Sequence, residues 1–157
     1  MAKYSNVVQE ISDREAQIEI IRRSQVCHLG MVDGDMPYVL PFNFGFDDPY
    51  IYLHSSFVGR KIETLKKNNN VCLSFSLDYD LFKQNEAVAC SWSMKYRSVM
   101  VFGRVVFIED IEEKRKAMDA LMRQFSNESF KYSDAAMNHV CVMRVEIDKM
   151  TGRSFRY

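Results

Sequence analysis

Residues 54–71, HSSFVGRKIETLKKNNNV, place a histidine, two serines, a glycine and an Arg–Lys pair where a strand gives way to a helix. The free amides at a helix N-terminus carry partial positive charge, so Arg60 and Lys61 stand where cations are disfavoured, whereas Lys66 and Lys67 stand at the favourable end. A bound phosphate would reverse that argument. Helix-start amides, a guanidinium fork, an ammonium group and the hydroxyls of Ser55 and Ser56 would converge on one dianion. Gly59 has no Cβ, so backbone could approach it closely. The competing reading is that both cations simply extend into solvent. His54 directly precedes the serines. Its near-neutral intrinsic pKa suits proton delivery, and the alternative is a hydrogen-bonded structural histidine.

A second unusual point is Pro41, inside the alternating run MPYVLPFNFGF. Proline removes a ladder hydrogen bond, which makes this strand edge-like or bulged. Its neighbours Val39, Leu40, Phe42 and Asn43 offer backbone groups and apolar walls to a flat ligand, or else Pro41 is an ordinary edge proline. Other chemistries find less support. Cys27 and His28 are adjacent and point to opposite faces of a strand, with no second ligand pair, so no metal site is expected. No nucleophile elbow, GxGxxG or GxxxxGK[ST] sequence is present. His28 and His139 read as structural, and Met94, Met100, Met118, Met122, Met137 and Met143 as core filler.

The elements that must position these residues follow from capping and periodicity. Ser12 and Glu15 form a capping box for a helix reaching about Ser24. QVCHLGMV alternates as a strand, DGD at 33–35 signals a hairpin turn, and MPYVLPFNFGF and YIYLHSS give two more strands. After the helix opened by Arg60, NNVCLSFSLDYD is a fourth strand, and residues 80–91 read as loop. RSVMVFGRVVFIED (97–110) is nearly continuous in apolar residues and reads as central. The helix IEEKRKAMDALMRQF, a variable stretch over 126–138 and the strand HVCVMRVEIDKMTGRSF complete the chain. Six strands joined mostly by hairpin-length turns, with few helices, predict a mainly antiparallel β-barrel.

Composition limits the partners. The 157 residues contain 21 Lys plus Arg against 21 Asp plus Glu, so net charge makes no case for nucleic acid or an anionic membrane. No apolar run approaches a membrane span. Eleven Phe, 8 Tyr and 1 Trp fit a strand-rich fold or a ring-shaped ligand. The N-terminal MAKYSNVVQEISDRE lacks a signal-peptide core, and Cys27, Cys72, Cys90 and Cys141 show no CxxC spacing. Those features predict reduced, mostly buried thiols and a cytoplasmic location.

Two separated segments resemble the pyridoxamine 5′-phosphate oxidase-like, FMN-binding split-barrel superfamily. YLHSSFVGRK matches the family's strand, loop and Arg-Lys pair, with His54 at its aromatic position and Ser55 at its Thr. WSMKYRSVMVFG keeps Trp92, Arg97, Val99 and Gly103 in register, with Ser98 replacing a Gln. The resemblance spans residues 12–110 and implies a single domain over 1–157: a six-stranded antiparallel split β-barrel, mainly β with flanking helices. It implies a homodimer with FMN at the interface. Arg60 and Lys61 would hold the phosphate, Ser55 and Ser56 the phosphate or ribityl chain, and Val39, Leu40, Pro41, Phe42 and Asn43 would face the isoalloxazine. Tyr96, Arg97 and Ser98 would complete the pocket, with His54 as both contact and proton donor. The ending TGRSFRY lacks the family's pyridoxal-phosphate recognition sequence, and the wording is closer to the nitroimidazole-resistance subgroup, said to reduce an antibiotic's nitro group with flavin. The expected substrate is a small aromatic compound. A non-catalytic flavin or haem carrier, with His54, His28 or His139 as axial ligand, and pyridoxamine phosphate oxidation are the alternatives.

Overall fold

A computed structural model describes residues 8–157. The first helix begins one residue later than the capping box predicts. Asp13, not Ser12, is the N-cap of α1 (Arg14–Arg23), and its carboxylate accepts from the Ala16 amide at 2.9 Å. Ile18, Ile20 and Ile21 form its buried face.

Among the described residues eight strands, not six, make one antiparallel sheet: β1 (Val8–Ile11), β2 (Cys27–Asp33), β3 (Met36–Phe42), β4 (Phe44–Asp47), β5 (Tyr50–Ser55), β6 (Asn70–Lys83), β7 (Trp92–Ile108) and β8 (Cys141–Phe155). The order is β3-β2-β6-β7-β8-β5-β4, with β1 on β8. With its flanking helices this is the split-barrel architecture. The count rises for two reasons. Val8–Ile11 adds a short strand against Gly152–Phe155, and the run predicted as one strand breaks at Asn43. Phe42 pairs with Cys27 while Phe44 pairs with Leu53. The two halves therefore stand at opposite ends of the strand order.

The segment 80–91 is less loop-like than its polarity predicts. β6 and β7 form a long hairpin with a register shift between Leu77 and Asp80, where Asp78 takes a φ of 57°. A short 3-10 turn over Ala89–Ser91 precedes β7. The DGD turn is as predicted: Asp33 pairs with Met36, and Gly34 at φ 64° makes the two-residue turn possible.

Inward residues of the strands and one face of each longer helix form the core. Phe44 and Phe75 meet edge to face, 4.9 Å between centroids, among Leu29, Ile51, Leu53, Leu73, Val99, Val101 and Met143. The helix α2 (Arg60–Lys67) adds Ile62 and Leu65. The helix α3 (Ile111–Arg123), capped by Asp110, packs over β4, where a Cβ on Gly45 would lie 2.4 Å from the backbone of Ala120 and Leu121. A last short helix, α4 (Asp134–Asn138), precedes β8. Met137 and Met143 are core residues as expected, but Met94 and Met100 are exposed. Register turns both of them outward. No helix among the described residues is long and apolar enough to cross a membrane.

Candidate functional site

The loop after β5 builds the start of α2 without a side-chain cap. Gly59 is the N-cap at φ 110°, a conformation costly for any residue with a Cβ, and a Cβ there would meet nothing within 4 Å. Its carbonyl accepts from the amides of Ile62 and Glu63. The amides ahead of them have no carbonyl one turn back, as at every helix start. This end of the helix is open, uncapped and rich in donors.

Arg60 and Lys61 come down beside β3. The Arg60 guanidinium lies 4.4 Å over the Tyr38 ring, and its Nε donates to Asp33 Oδ2 at 2.7 Å. The Lys61 ammonium lies 5.8 Å from the Phe42 ring centroid. Tyr38, Leu40 and Phe42 share the inward face of β3, whereas Val39, Pro41 and Asn43 are exposed. The five residues 39–43 therefore cannot all turn side chains to one flat ligand. Because β3 ends the strand order, its open edge can still present their backbone groups.

His54 and Ser55 end β5 opposite Val142 and Cys141. Strand alternation sends the two side chains to opposite faces. Ser55 lies on the same side as Cys141, near the α2 cations: burial pushes the Cys141 thiol up, against an opposing pull from Lys114, Lys66 and Lys61. His54 lies in the row of Val142 and Ile108, on the side where those residues pack with Ala117 of α3. Burial pushes its imidazole below the usual 6.5. Both His54 Nδ1 and Ser55 Oγ are buried without a hydrogen-bond partner. Buried polar atoms are nearly always paired, so among the described residues each of these two, on opposite faces of β5, is an orphaned group. Ser56 differs, since its hydroxyl is spent on the Val58 carbonyl at 3.1 Å.

The remaining predicted residues lie elsewhere in the chain. Tyr96 pairs with Phe155 and Ser98 with Arg153, whereas Ile108, twelve residues beyond Tyr96 on β7, pairs with Val142 beside His54. At about 3.3 Å per residue, that separation is on the order of 40 Å of strand. Arg97 points to the opposite face from its neighbours. It donates to Asp78 Oδ2 at 2.6 Å beneath the Tyr157 ring, and Arg23 shares the same carboxylate. Despite the upward push of burial, these hydrogen bonds hold the Asp78 carboxyl below its ordinary range. One chain thus gathers Ser55, Arg60, Lys61 and β3, but not Tyr96, Arg97 and Ser98.

The outer sheet face connects them in another way. Cross-strand register aligns Val39, Gly30, Cys72 and Phe102 in one row and Pro41, His28, Ser74 and Met100 in the next. Val39 is 57% exposed, with Val32, Met100 and Phe102 also exposed on this face. Ser98 and Tyr96 continue it along β7. Sequence reasoning missed Asp33 and Tyr38. Asp33 stood inside an obvious turn signal, and Tyr38 inside an ordinary alternating strand.

Among the described residues no cluster of His, Cys, Asp or Glu is arranged to hold a metal ion. Cys27 is buried and its thiol is pushed up to about 12. All four cysteines are free; Cys90 is exposed and Cys72 partly so, which leaves two of the four fully buried.

The family model for pyridoxamine 5′-phosphate oxidase matches residues 13–154. No curated protein sequence matches the chain. Among solved structures, a candidate 5-nitroimidazole antibiotic resistance protein from Bacteroides thetaiotaomicron is 44% identical, over 94% of this chain and 87% of that one, with a TM-score of 0.85. A flavocytochrome from Azotobacter vinelandii is 21% identical, covering 100% and 72%, with a TM-score of 0.81. An FAD- and haem-binding protein from Mycobacterium smegmatis is 19% identical, covering 94% and 74%, with a TM-score of 0.82. At those two identities the likeness is one of fold.

Proposed function

The chain belongs to the pyridoxamine 5′-phosphate oxidase family, and on that premise we propose that it is a cytoplasmic, FMN-dependent oxidoreductase acting on nitroimidazole-like aromatic compounds. The observation that carries the cofactor reading is the uncapped start of α2 with Arg60 and Lys61 set against β3. The unpaired Ser55 hydroxyl and the open space at Gly59 fit a phosphate group there. Arg60 and Lys61 hold the phosphate, assisted by the first amides of α2 and by Ser55; the Ser56 hydroxyl, already donated to the Val58 carbonyl, shapes the loop instead. The open edge of β3, from Val39 to Asn43, carries the ring. When bound, FMN supplies the electron transfer, and the protein orients the ring and controls protons. His54 is assigned proton delivery, which it would perform from the α3 side of β5, the face opposite the one that turns Ser55 towards the α2 cations. The likeness at 44% identity to the Bacteroides protein supports a nitro compound as substrate.

The single-domain barrel works as a homodimer in this reading. Among the described residues Val39 and Pro41 of β3 are exposed, and Tyr96 and Ser98 lie on the same outer face of the sheet. A second copy packed on that face would bury Val39, Met100 and Phe102 and bring Tyr96 and Ser98 of one protomer towards the flavin of the other, while Arg97, turned to Asp78 on the opposite face, would hold the strand that carries them.

The absorption spectrum of freshly purified protein tests this, followed by identification of the released cofactor. Flavin bands with FMN released support the reading. A haem Soret band, or neither signature after incubation with FMN, refutes it.

A further inference from the structure

On the reading that the start of α2 holds a flavin phosphate, we propose that Asp33 is the residue that aims Arg60 at that phosphate. Asp33 lies 27 residues away in sequence, at the end of β2, where its pairing with Met36 and the left-handed Gly34 fix the hairpin tip. Its Oδ2 takes the Arg60 Nε–H at 2.7 Å, while the Tyr38 ring supports the flat guanidinium at 4.4 Å. Nε is thereby spent. The two terminal nitrogens have no acceptor among the described residues, and they form the edge of the fork that takes a phosphate with parallel hydrogen bonds.

A carboxylate beside a phosphate site would ordinarily oppose binding, so its presence needs a reason. Stability does not supply one. The Arg60 side chain is 58% exposed and that of Asp33 31%, and such partly exposed pairs contribute little. Orientation does. An arginine that swings freely must lose its rotamer freedom on binding, whereas one held by Asp33 and Tyr38 has already lost it. Asp33 is a positioning residue in this scheme. It acts through Arg60 and touches no flavin.

The test uses the full chain, stripped of bound flavin, with FMN and riboflavin as probes and binding read by flavin fluorescence. Asp33→Asn keeps the shape of the hairpin tip and removes the charge. FMN affinity should fall about tenfold, as expected for weakening hydrogen bonds to a charged group, with riboflavin affinity unchanged. In an Arg60→Ala background the same substitution should do nothing further. Three results overturn the proposal: unchanged or tighter FMN binding by Asp33→Asn, equal weakening of both flavins, or a full additional loss in the Arg60→Ala background. If Arg60→Ala itself leaves the preference for FMN over riboflavin intact, the phosphate site is wrong and Asp33 falls with it. If Arg60→Ala abolishes that preference and Asp33→Asn does not reduce it, only the role of Asp33 is lost.

Discussion

Replacing His54 with Gln separates proton delivery from scaffolding. The imidazole closes β5 opposite Val142, half-buried, with Nδ1 unpaired. Burial holds its pKa below 6.5. Above neutral pH, then, the imidazole is predominantly uncharged. If the imidazolium delivers the proton, the wild-type rate falls about tenfold per pH unit above the pKa of His54. Glutamine keeps a hydrogen-bonding side chain but carries no titrating proton, so its profile should be flat. Positioned acids contribute about 10²–10⁴-fold, so the gap between the two proteins should be of that order on the acid side of the wild-type profile and narrow as pH rises. The assay is the single-turnover oxidation of the reduced, flavin-loaded protein by a nitroimidazole, followed by flavin absorbance. Parallel pH profiles, or a rate for His54→Gln within a few-fold of wild type on the acid side of the wild-type profile, would refute the catalytic role. The same depressed pKa has a stability consequence with a fixed sign. The unfolded chain takes up the proton first, so the contribution is present above pH 6.5 and is lost as pH falls through the folded value. His54→Gln should remove that part of the acid sensitivity.

Arg60→Ala should cost about 1.5–3 kcal/mol of FMN binding and almost nothing for riboflavin, measured by parallel titration. Equal losses would show that Arg60 does not touch the phosphate. Val39→Glu and Phe102→Glu place charge on the exposed apolar face of the sheet, and sedimentation should show both variants shifted to monomer with weakened FMN binding. A monomeric variant that holds FMN with undiminished affinity would contradict the interface site. Gly45→Ala sets a Cβ 2.4 Å from the Ala120–Leu121 backbone, where neither chain can give way easily. Overpacking of that kind costs about 1–3 kcal/mol, so chemical denaturation should show a clear loss of stability, and an unchanged midpoint would mean that α3 is not seated on β4 as described.

The local elements around the proposed site are legible in the sequence because the residues that make them are neighbours. The glycine that starts α2, the Arg–Lys pair behind it, the two serines before it and the turn at Gly34 each depend on a few consecutive residues and on backbone preferences that travel with them. The mainly antiparallel barrel with flanking helices follows from the same short-range signals. What sequence could not supply is the direction of each side chain once strands pair. A strand's faces exchange with a shift of one residue, and register is set by partners far along the chain. Hence Met94 and Met100, apolar and expected inside, lie outside. Tyr96 and Ser98 share a face from which Arg97 turns away to Asp78. The run from Met36 to Phe46 was expected to form one strand. It divides at Asn43 because its first half finds β2 and its second half β5. The contact between Asp33 and Arg60 has the same origin. Neither residue's local pattern requires the other, and they meet only because the β2–β3 hairpin and the start of α2 are packed side by side.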